Sequence, residues 1–549
     1  MRRLTFERSR CLACRSCEIA CALAHSGHET IASALGKTPA PRRRIDIRKE
    51  AGGGLQAVRC EQCDEPLCVF ACKSGALSRD PESGATRLDE DRCVGCAMCL
   101  MVCPFGLWLD SERGRVVRCD ACAGRDTPAC VAACPTHALG AEDEPHARPT
   151  SDFTGRVVVV GSSAAGIAAC EAARECAPGC RITLVTADDA PEYSRPLLPY
   201  ALSGRVARQF IAWRAAEYLE KSLGVEVLRG ARARTVRTER RIVEPAGGKD
   251  LAYDRLVICT GARGQRLRVP GADLPGVFTL RDLQDLAGIV EFGRPGRPAI
   301  VVGGGNVGIQ AGEALHERGL RVTVAFRSSH VLSQMVDAEA GSRVGALLSD
   351  HGLALRPGRD PVEILGRDRV TAVRLDDGEC IEADLVVVGK GIVPNVEWLA
   401  GSGIAMARGI VVDRSGRTNI PSVFAAGDCA ETTNPLTGAS SISGIWPVAY
   451  EMGRAAGSAA VGIERPSAGA LRLNASTFFG HAIVSIGEVC EDRLPDARAK
   501  VLDSSADVYR KLVVQKDRLV GALLYGDIAR AGEYYRMYRE GTTQPFGPE

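Results

Sequence analysis

The chain has 549 residues, 45% hydrophobic and 25% charged, with a formal net charge of +2. That length provides for three or four domains, each able to bury its own core, and the even charge balance argues against nucleic-acid or membrane-surface binding. No run of about 18 apolar residues occurs, so no membrane span is expected. Arg2 and Arg3 lack the apolar stretch of an export signal, and a cytoplasmic protein is the expectation.

Sixteen of the 23 cysteines lie in the first 134 residues, in four groups. They read Cys11-x2-Cys14-x2-Cys17-x3-Cys21, Cys60-x2-Cys63-x4-Cys68-x3-Cys72, Cys93-x2-Cys96-x2-Cys99-x3-Cys103 and Cys119-x2-Cys122-x7-Cys130-x3-Cys134, with Pro104 and Pro135 after the last two. Three close thiolates and one remote thiolate are what a 4Fe–4S cubane takes from a ferredoxin-type loop. Four such groups predict four clusters. The remote cysteine is expected to open a helix and to serve the neighbouring cluster. Zinc would call for two pairs of ligands, and a disulfide framework for a small secreted chain. The other seven, Cys170, Cys176, Cys180, Cys259, Cys380, Cys429 and Cys490, form no C-x2-C pair and read as buried, inert thiols.

Between the first two groups, Arg42 to Arg44 precede alternating Ile45 and Ile47, with a turn at Gly52 to Gly54. This pattern predicts a hairpin edge, its arginines in a solvated loop or facing an acidic donor. Over residues 5–140 the motifs resemble the iron–sulfur subunits accompanying dimethyl sulfoxide reductase, formate-linked hydrogenases and carbon monoxide dehydrogenase. The resemblance implies that Cys11, Cys14, Cys17 share a cluster with Cys134, and Cys119, Cys122, Cys130 with Cys21. It likewise implies Cys60, Cys63, Cys68 with Cys103, and Cys93, Cys96, Cys99 with Cys72, all passing single electrons.

A polar, proline-bearing linker at 141–155 marks a boundary. Strand Val157 to Val160 then meets a turn, Gly161-x-Ser163-x-x-Gly166, and an Ala-rich helix, the opening of a dinucleotide fold with Ser in place of the middle Gly. After the strand Ile182 to Val185 the ribose carboxylate position holds Thr186, so Asp188 is the candidate contact. EYSRPLLPY (192–200), LVICTGA (256–262) and SVFAAGDCAE (422–431) follow in the order of the two-dinucleotide-fold flavoprotein reductases, which this part of the chain resembles. That resemblance implies FAD, with Asp428 and Gly427 at the ribityl chain and Thr260, Gly261, Ala262 against the nucleotide. It also places Arg195 and Pro196 near the isoalloxazine.

Gly303-x-Gly305-x-x-Gly308, between strand Ala299 to Val302 and a helix ending near Gly319, repeats the fingerprint for a nicotinamide nucleotide. After Val322 to Ala325 stand Phe326 and Arg327 instead of an acid, which leaves NAD and NADP both open, Arg327 being able to pair a 2′-phosphate. Gln310 fills a helix position next to the nicotinamide where many relatives carry Glu. Pro196 occupies the place of the catalytic cysteine of peroxide and coenzyme A disulfide reductases, so dithiol chemistry is not expected. The segment 468–549 alternates apolar and polar residues around turns and ends in a helix with Tyr534, Tyr535 and Tyr538. It resembles the interface domain of NADH oxidase and rubredoxin reductase-like enzymes, which implies a homodimer.

The expected architecture is α/β: a polyferredoxin domain (1–148), an FAD fold (153–275 and 390–466) interrupted by an NAD(P) fold (276–389), and a small α+β domain (467–549). The expected function is electron transfer between a low-potential redox protein, of the carbon monoxide dehydrogenase kind, and NAD(P). FAD is the needed converter of one-electron steps into hydride transfer. Reverse flow to a partner reductase, or a relay without nucleotide chemistry, are the alternatives; no nucleic-acid or membrane partner is expected.

Overall fold

The computed structural model describes residues 2–34, 41–49, 54–80, 84–105, 107–110, 114–143, 150–215, 217–434 and 436–541. Two five-stranded parallel sheets lie at its centre. The first runs, in spatial order, Glu226–Leu228, Arg181–Val185, Arg156–Val160, Arg255–Ile258 and Val423–Ala425. The second runs Val277–Thr279, Leu385–Val388, Pro298–Val302, Arg321–Phe326 and Ala354–Pro357. The chain leaves the first sheet after Ile258, completes the second, and returns at Val423, so one dinucleotide fold interrupts the other. Helices and appended sheets cover both faces of a parallel sheet, which is why these strands read as unbroken Val, Ile, Leu and Ala. Val157, Val159, Ile300 and Val301 are each fully buried.

Helix Ala164–Cys176 packs against helix Trp446–Ala460 almost backbone to backbone. The closeness needs glycine: a Cβ at Gly453 would stand 2.2 Å from the Ala165 carbonyl, and one at Gly457 2.3 Å from that of Ala169. This pairing fixes Trp446, the first residue of the second helix, at the end of the first sheet.

In the cysteine-rich part, strand Arg2–Phe6 pairs antiparallel with Leu139–Asp143, which brings the first motif to the fourth. Helix Leu67–Ala71 of the second motif packs on Met98–Val102 of the third. Asp46–Lys49 and Leu55–Val58 form the expected hairpin, while Gly52 and Gly53 of its turn lie outside the described residues, as does 144–149 of the linker. The C-terminal part is a five-stranded antiparallel sheet closed by helix Ala531–Glu540. Tyr534, Tyr535 and Tyr538 are buried within the chain, and Gly532 lets that helix approach the Cys103 carbonyl, where a Cβ would come within 2.0 Å.

Three expectations are corrected. The fourth cysteine of each motif ends its helix instead of opening it: Cys72 and Cys103 are C-caps of Leu67–Ala71 and Met98–Val102, and Cys21 lies in the second half of Ser16–Ala24. The x3 spacing explains this, because the third cysteine starts the helix and the fourth follows about one turn later. Arg42 and Arg44 are more than a solvated loop: they pair with Asp110 (3.2 Å) and Asp120 (2.7 Å) and tie this loop to segments of the third and fourth motifs, while Arg43 is exposed and pairs locally with Asp46 (3.0 Å). Of the seven remaining cysteines, Cys380 is exposed and Cys490 half-buried; Cys380 opens a short edge strand after the turn at Gly378.

Candidate redox site: a dinucleotide cavity beside four cysteine groups

The fingerprint turns are built by close backbone approach. Gly161 has φ +113°, and a Cβ there would meet the Cys259 carbonyl at 2.1 Å; one at Gly166 would meet the Gly161 carbonyl at 1.8 Å. The second fold repeats this, Gly303 (φ +126°) against the Gly389 carbonyl at 2.4 Å and Gly308 against the Gly303 carbonyl at 2.0 Å. The middle position is different. Gly305 has nothing within 4 Å of a notional Cβ, which explains structurally how Ser163 can stand at the equivalent place. Ser163 is the N-cap of its helix but makes no side-chain capping bond, leaving its hydroxyl for a phosphate oxygen at the helix N-terminus.

In front of the first turn lies a cavity of about 820 Å³. Among its walls are Gly161, Ser163, Asp188, Arg195, Pro196, Thr260, Gly261, Ala262, Gly427 and Asp428, ten residues that the sequence singled out from five separate stretches. Gly166 lies behind the turn. An arginine pair spans the cavity wall: Arg195 binds Asp188 at 2.8 Å and the Tyr193 hydroxyl at 2.8 Å, and Arg281 binds Asp428 at 2.6 Å. Burial, with Asp188 and Asp282 nearby, pushes the Tyr193 phenol up to about 12, so it stays protonated beside Arg195. The indole Nε1 atoms of Trp398 and Trp446, which also line the cavity, are buried without a hydrogen-bond partner. An elongated cavity with glycine turns, a helix N-terminus and unsatisfied donors fits a dinucleotide such as FAD.

At the second fold, Phe326 is the last strand residue and is buried, its ring over Gly304. Arg327 follows it into solvent, 83% exposed at the side chain, and pairs with Asp360 at 2.9 Å; Lys390 also pairs with Asp360. Gln310 is buried in helix Asn306–Glu317, one helical turn from Glu313, which holds Arg205 at 2.6 Å.

The sixteen motif cysteines gather into four groups, identified by which thiols act on one another. Cys14 and Cys17 feel Cys134; Cys11 is half-buried at the end of the turn Arg8–Arg10, three residues before Cys14. Cys63 is pushed up to about 11 by burial, Cys60 and Cys103, and Cys68 is raised by burial and the same two neighbours. Cys72 and Cys99 are raised by burial and then by Cys93 and Cys96. Cys130 is pushed up to about 12 by burial, Cys21 and Cys122, and Cys119 is raised by burial, Cys60 and Cys21. Buried thiols that oppose one another's ionisation make a poor free tetrad and a good one around iron, whose charge offsets four thiolates. Backbone N–H groups of Leu77 and Arg44 donate to Cys72 and Cys21, each at 3.2 Å.

Neighbouring groups are packed in one order. Helix Ser16–Ala24 packs on helix Ala129–Ala132, Arg118 beside Cys119 reaches Cys60 at 2.9 Å, and helix Leu67–Ala71 packs on Met98–Val102. The four therefore form a line running from the Cys11 group, through the Cys119 and Cys60 groups, to the Cys93 group. Sequence reasoning missed several residues here. Arg118, 2% exposed, donates to Cys60 Sγ at 2.9 Å, and His25 reaches Asp120 at 3.1 Å beside Cys21 and Cys122. Adjacency to a motif cysteine was the available signal for Arg118; none pointed to Arg281 or the tryptophans.

Comparison with known proteins accords with this geometry. Residues 155–453 match the pyridine nucleotide-disulphide oxidoreductase family, 55–144 the 4Fe-4S dicluster domain, and 473–542 the rubredoxin NAD+ reductase C-terminal domain. The chain belongs to the pyridine nucleotide-disulphide oxidoreductase family, with an iron–sulfur domain ahead of the reductase fold. Nitrite reductase [NAD(P)H] of Bacillus subtilis is 31% identical over 387 residues, 70% of this chain and 47% of that protein. Rubredoxin-NAD(+) reductase of Pseudomonas putida is 29% identical over 284 residues, 51% of this chain and 74% of that protein. Among solved structures, an NAD-dependent persulfide reductase from A. fulgidus superposes with a TM-score of 0.67 at 29% identity, covering 71% of this chain and 77% of that one. The chain spans about half the length of the curated nitrite reductase it matches.

Proposed function

We propose that the protein exchanges electrons between NAD(P) and a redox protein through FAD and four 4Fe–4S clusters held by the sixteen motif cysteines. The observation that carries this reading is the line of four cysteine groups that ends against the reductase fold. FAD, when bound, supplies the conversion between a two-electron hydride and single electrons. Ser163 and the amides after Gly161 would hold its pyrophosphate, Asp188 its ribose, and Asp428 its ribityl chain. Arg195, paired with Asp188 at 2.8 Å, would stand at that ribose instead of flanking the ring, with Pro196 next to it in the cavity wall. Gly303, Gly305 and Gly308 would cradle the nicotinamide nucleotide, with Arg327 beside the adenosine ribose, which leaves NAD and NADP both open. Pro196 leaves no thiol to attack a disulfide there.

We assign the residues to four units: 1–148, 153–275 with 390–466, 276–389 and 467–549. The far end of the line opens to solvent at Cys14, with Leu12 and Ile19 exposed beside it, a surface suited to a docking redox protein. The family resemblance of the four-motif pattern alone suggests a low-potential partner such as carbon monoxide dehydrogenase or a similar dehydrogenase. We read the protein as cytoplasmic; among the described residues no helix is long and apolar enough to cross a membrane. Iron, sulfide and flavin analysis of anaerobically purified protein tests the cofactor set. Four clusters and one FAD per chain is the expected content, and a Cys14→Ser, Cys17→Ser variant should lose one cluster while keeping FAD. Two clusters in the intact protein would refute the assignment of the first and fourth motifs.

A further inference from the structure

We infer that electrons pass between the flavin and the clusters at one place, the Cys72–Cys93–Cys96–Cys99 group, across the packed indoles of Trp213 and Trp446. The inference rests on the proposed cofactor set. The indole N–H of Trp213 donates to the Cys72 carbonyl at 3.0 Å, directly on the backbone of a cysteine of that group. Its ring meets Trp446 edge to face, centroids 5.2 Å apart, and Trp446 is in the wall of the dinucleotide cavity. Cysteine, indole, indole and cavity thus form an unbroken series of packed groups. No step crosses solvent, for Trp213 is 1% and Trp446 8% exposed.

The surroundings hold the series rigid. Gly75 admits Trp213, since a Cβ there would lie 2.5 Å from its carbonyl oxygen, and Arg92 donates to that same oxygen at 3.2 Å. Arg214 lies 3.6 Å above the Trp213 ring and is itself anchored on buried Glu171. Tyr450 closes the other side at 5.3 Å. Lys73, the residue after Cys72, reaches the Tyr200 hydroxyl at 3.3 Å and pins the same interface. Both partners of the bridge are tryptophan, the side chain with the largest π surface.

Electron tunnelling falls steeply with the width of the insulating gap, so aromatic matter between two redox groups speeds transfer without itself changing oxidation state. The balance is one NAD(P)H and two oxidised clusters giving NAD(P)+, one proton released to water, and two reduced clusters. Both indoles are unchanged at the end. The other three cysteine groups lie further along the line and receive electrons through this first one.

The test compares the intact protein with Trp213→Leu and Trp213→Phe, both fully loaded. In one arm NAD(P)H is mixed anaerobically, and flavin bleaching and cluster bleaching are timed separately. In the other arm the bound flavin is photoreduced by a flash with a sacrificial amine and no nucleotide, and the electron is followed to the clusters. Expected are unchanged flavin bleaching by NAD(P)H and unchanged dithionite-reduced cluster signals. Flavin-to-cluster transfer should slow severalfold or more in Trp213→Leu and less in Trp213→Phe. Transfer at the wild-type rate in Trp213→Leu would overturn the inference; if that variant will not hold its clusters, wild-type transfer in Trp213→Phe does so. Failure of NAD(P)H to bleach the intact protein would count against the proposed function alone, because the flash arm still reads the bridge.

Discussion

Replacing Arg118 by Gln should lower the reduction potential of the Cys60–Cys63–Cys68–Cys103 cluster. Arg118 donates to Cys60 Sγ at 2.9 Å and is 2% exposed. Burial opposes its charge, but Cys60, Cys68 and Cys119 hold its pKa above the ordinary value, so the guanidinium is a fixed positive charge between two of the cysteine groups proposed to hold clusters. Reduction adds one negative charge to the cluster. At a separation of about 6 Å and an effective dielectric of about 20, the guanidinium favours that added charge by about 3 kcal/mol. This corresponds to roughly 100 mV for a one-electron couple. Anaerobic potentiometric titration followed by electron paramagnetic resonance measures the shift, on protein whose iron content matches wild type. Arg118→Lys, keeping the charge without the fork, should recover most of the potential. A potential in Arg118→Gln that is unchanged or higher would refute the electrostatic argument.

The glycine turns give a paired prediction. Gly166→Ala should abolish FAD retention, since its Cβ would stand 1.8 Å from the Gly161 carbonyl, whereas Gly308→Ala should keep FAD and lose NAD(P)H bleaching; flavin absorbance after gel filtration and a nucleotide titration distinguish them. Glu171→Ala strands Arg214 and removes the acceptor of the Tyr218 hydroxyl, and should cost about 3–5 kcal/mol of stability in denaturant unfolding. Hydrogen bonds from Arg417 and Ser415 hold the Glu464 carboxyl down to about 2. Its folded pKa being lowered, its contribution is present above the ordinary carboxylate value near 4.5 and is lost as pH falls toward about 2. Glu464 is 59% exposed, so Glu464→Gln should cost under about 1 kcal/mol at neutral pH, a difference that vanishes in acid unfolding curves at the lower limit.

What the sequence disclosed was whatever is local in the chain. Cysteine spacings and the Gly161 and Gly303 fingerprints are legible because one loop or one turn needs those residue types at those intervals, whatever surrounds them. The helix direction at the fourth cysteine was misjudged, although the x3 spacing already contained it. Arg42 and Arg44 were misread because their partners Asp110 and Asp120 lie in other motifs, and charge patterning sees only neighbours. Trp213 reaches Cys72 across 141 positions and meets Trp446 from another helix, and no periodicity joins them. The same holds for His25 and Asp120, which are 95 positions apart. The tyrosines of the last helix are visible in sequence, but that they pack within the chain near Cys103 is a tertiary fact.

The central claim is that one chain wires a nicotinamide nucleotide to its clusters through FAD. An anaerobic titration with NADH and with NADPH tests it most directly, with the flavin band and the cluster resonance signals recorded on the same samples. Bleaching of the flavin by at least one nucleotide is predicted, joined by cluster signals or, for clusters of lower potential, by NAD(P)+ reoxidising dithionite-reduced clusters. A flavin that neither nucleotide bleaches, with reduced clusters that NAD(P)+ leaves untouched, would contradict it.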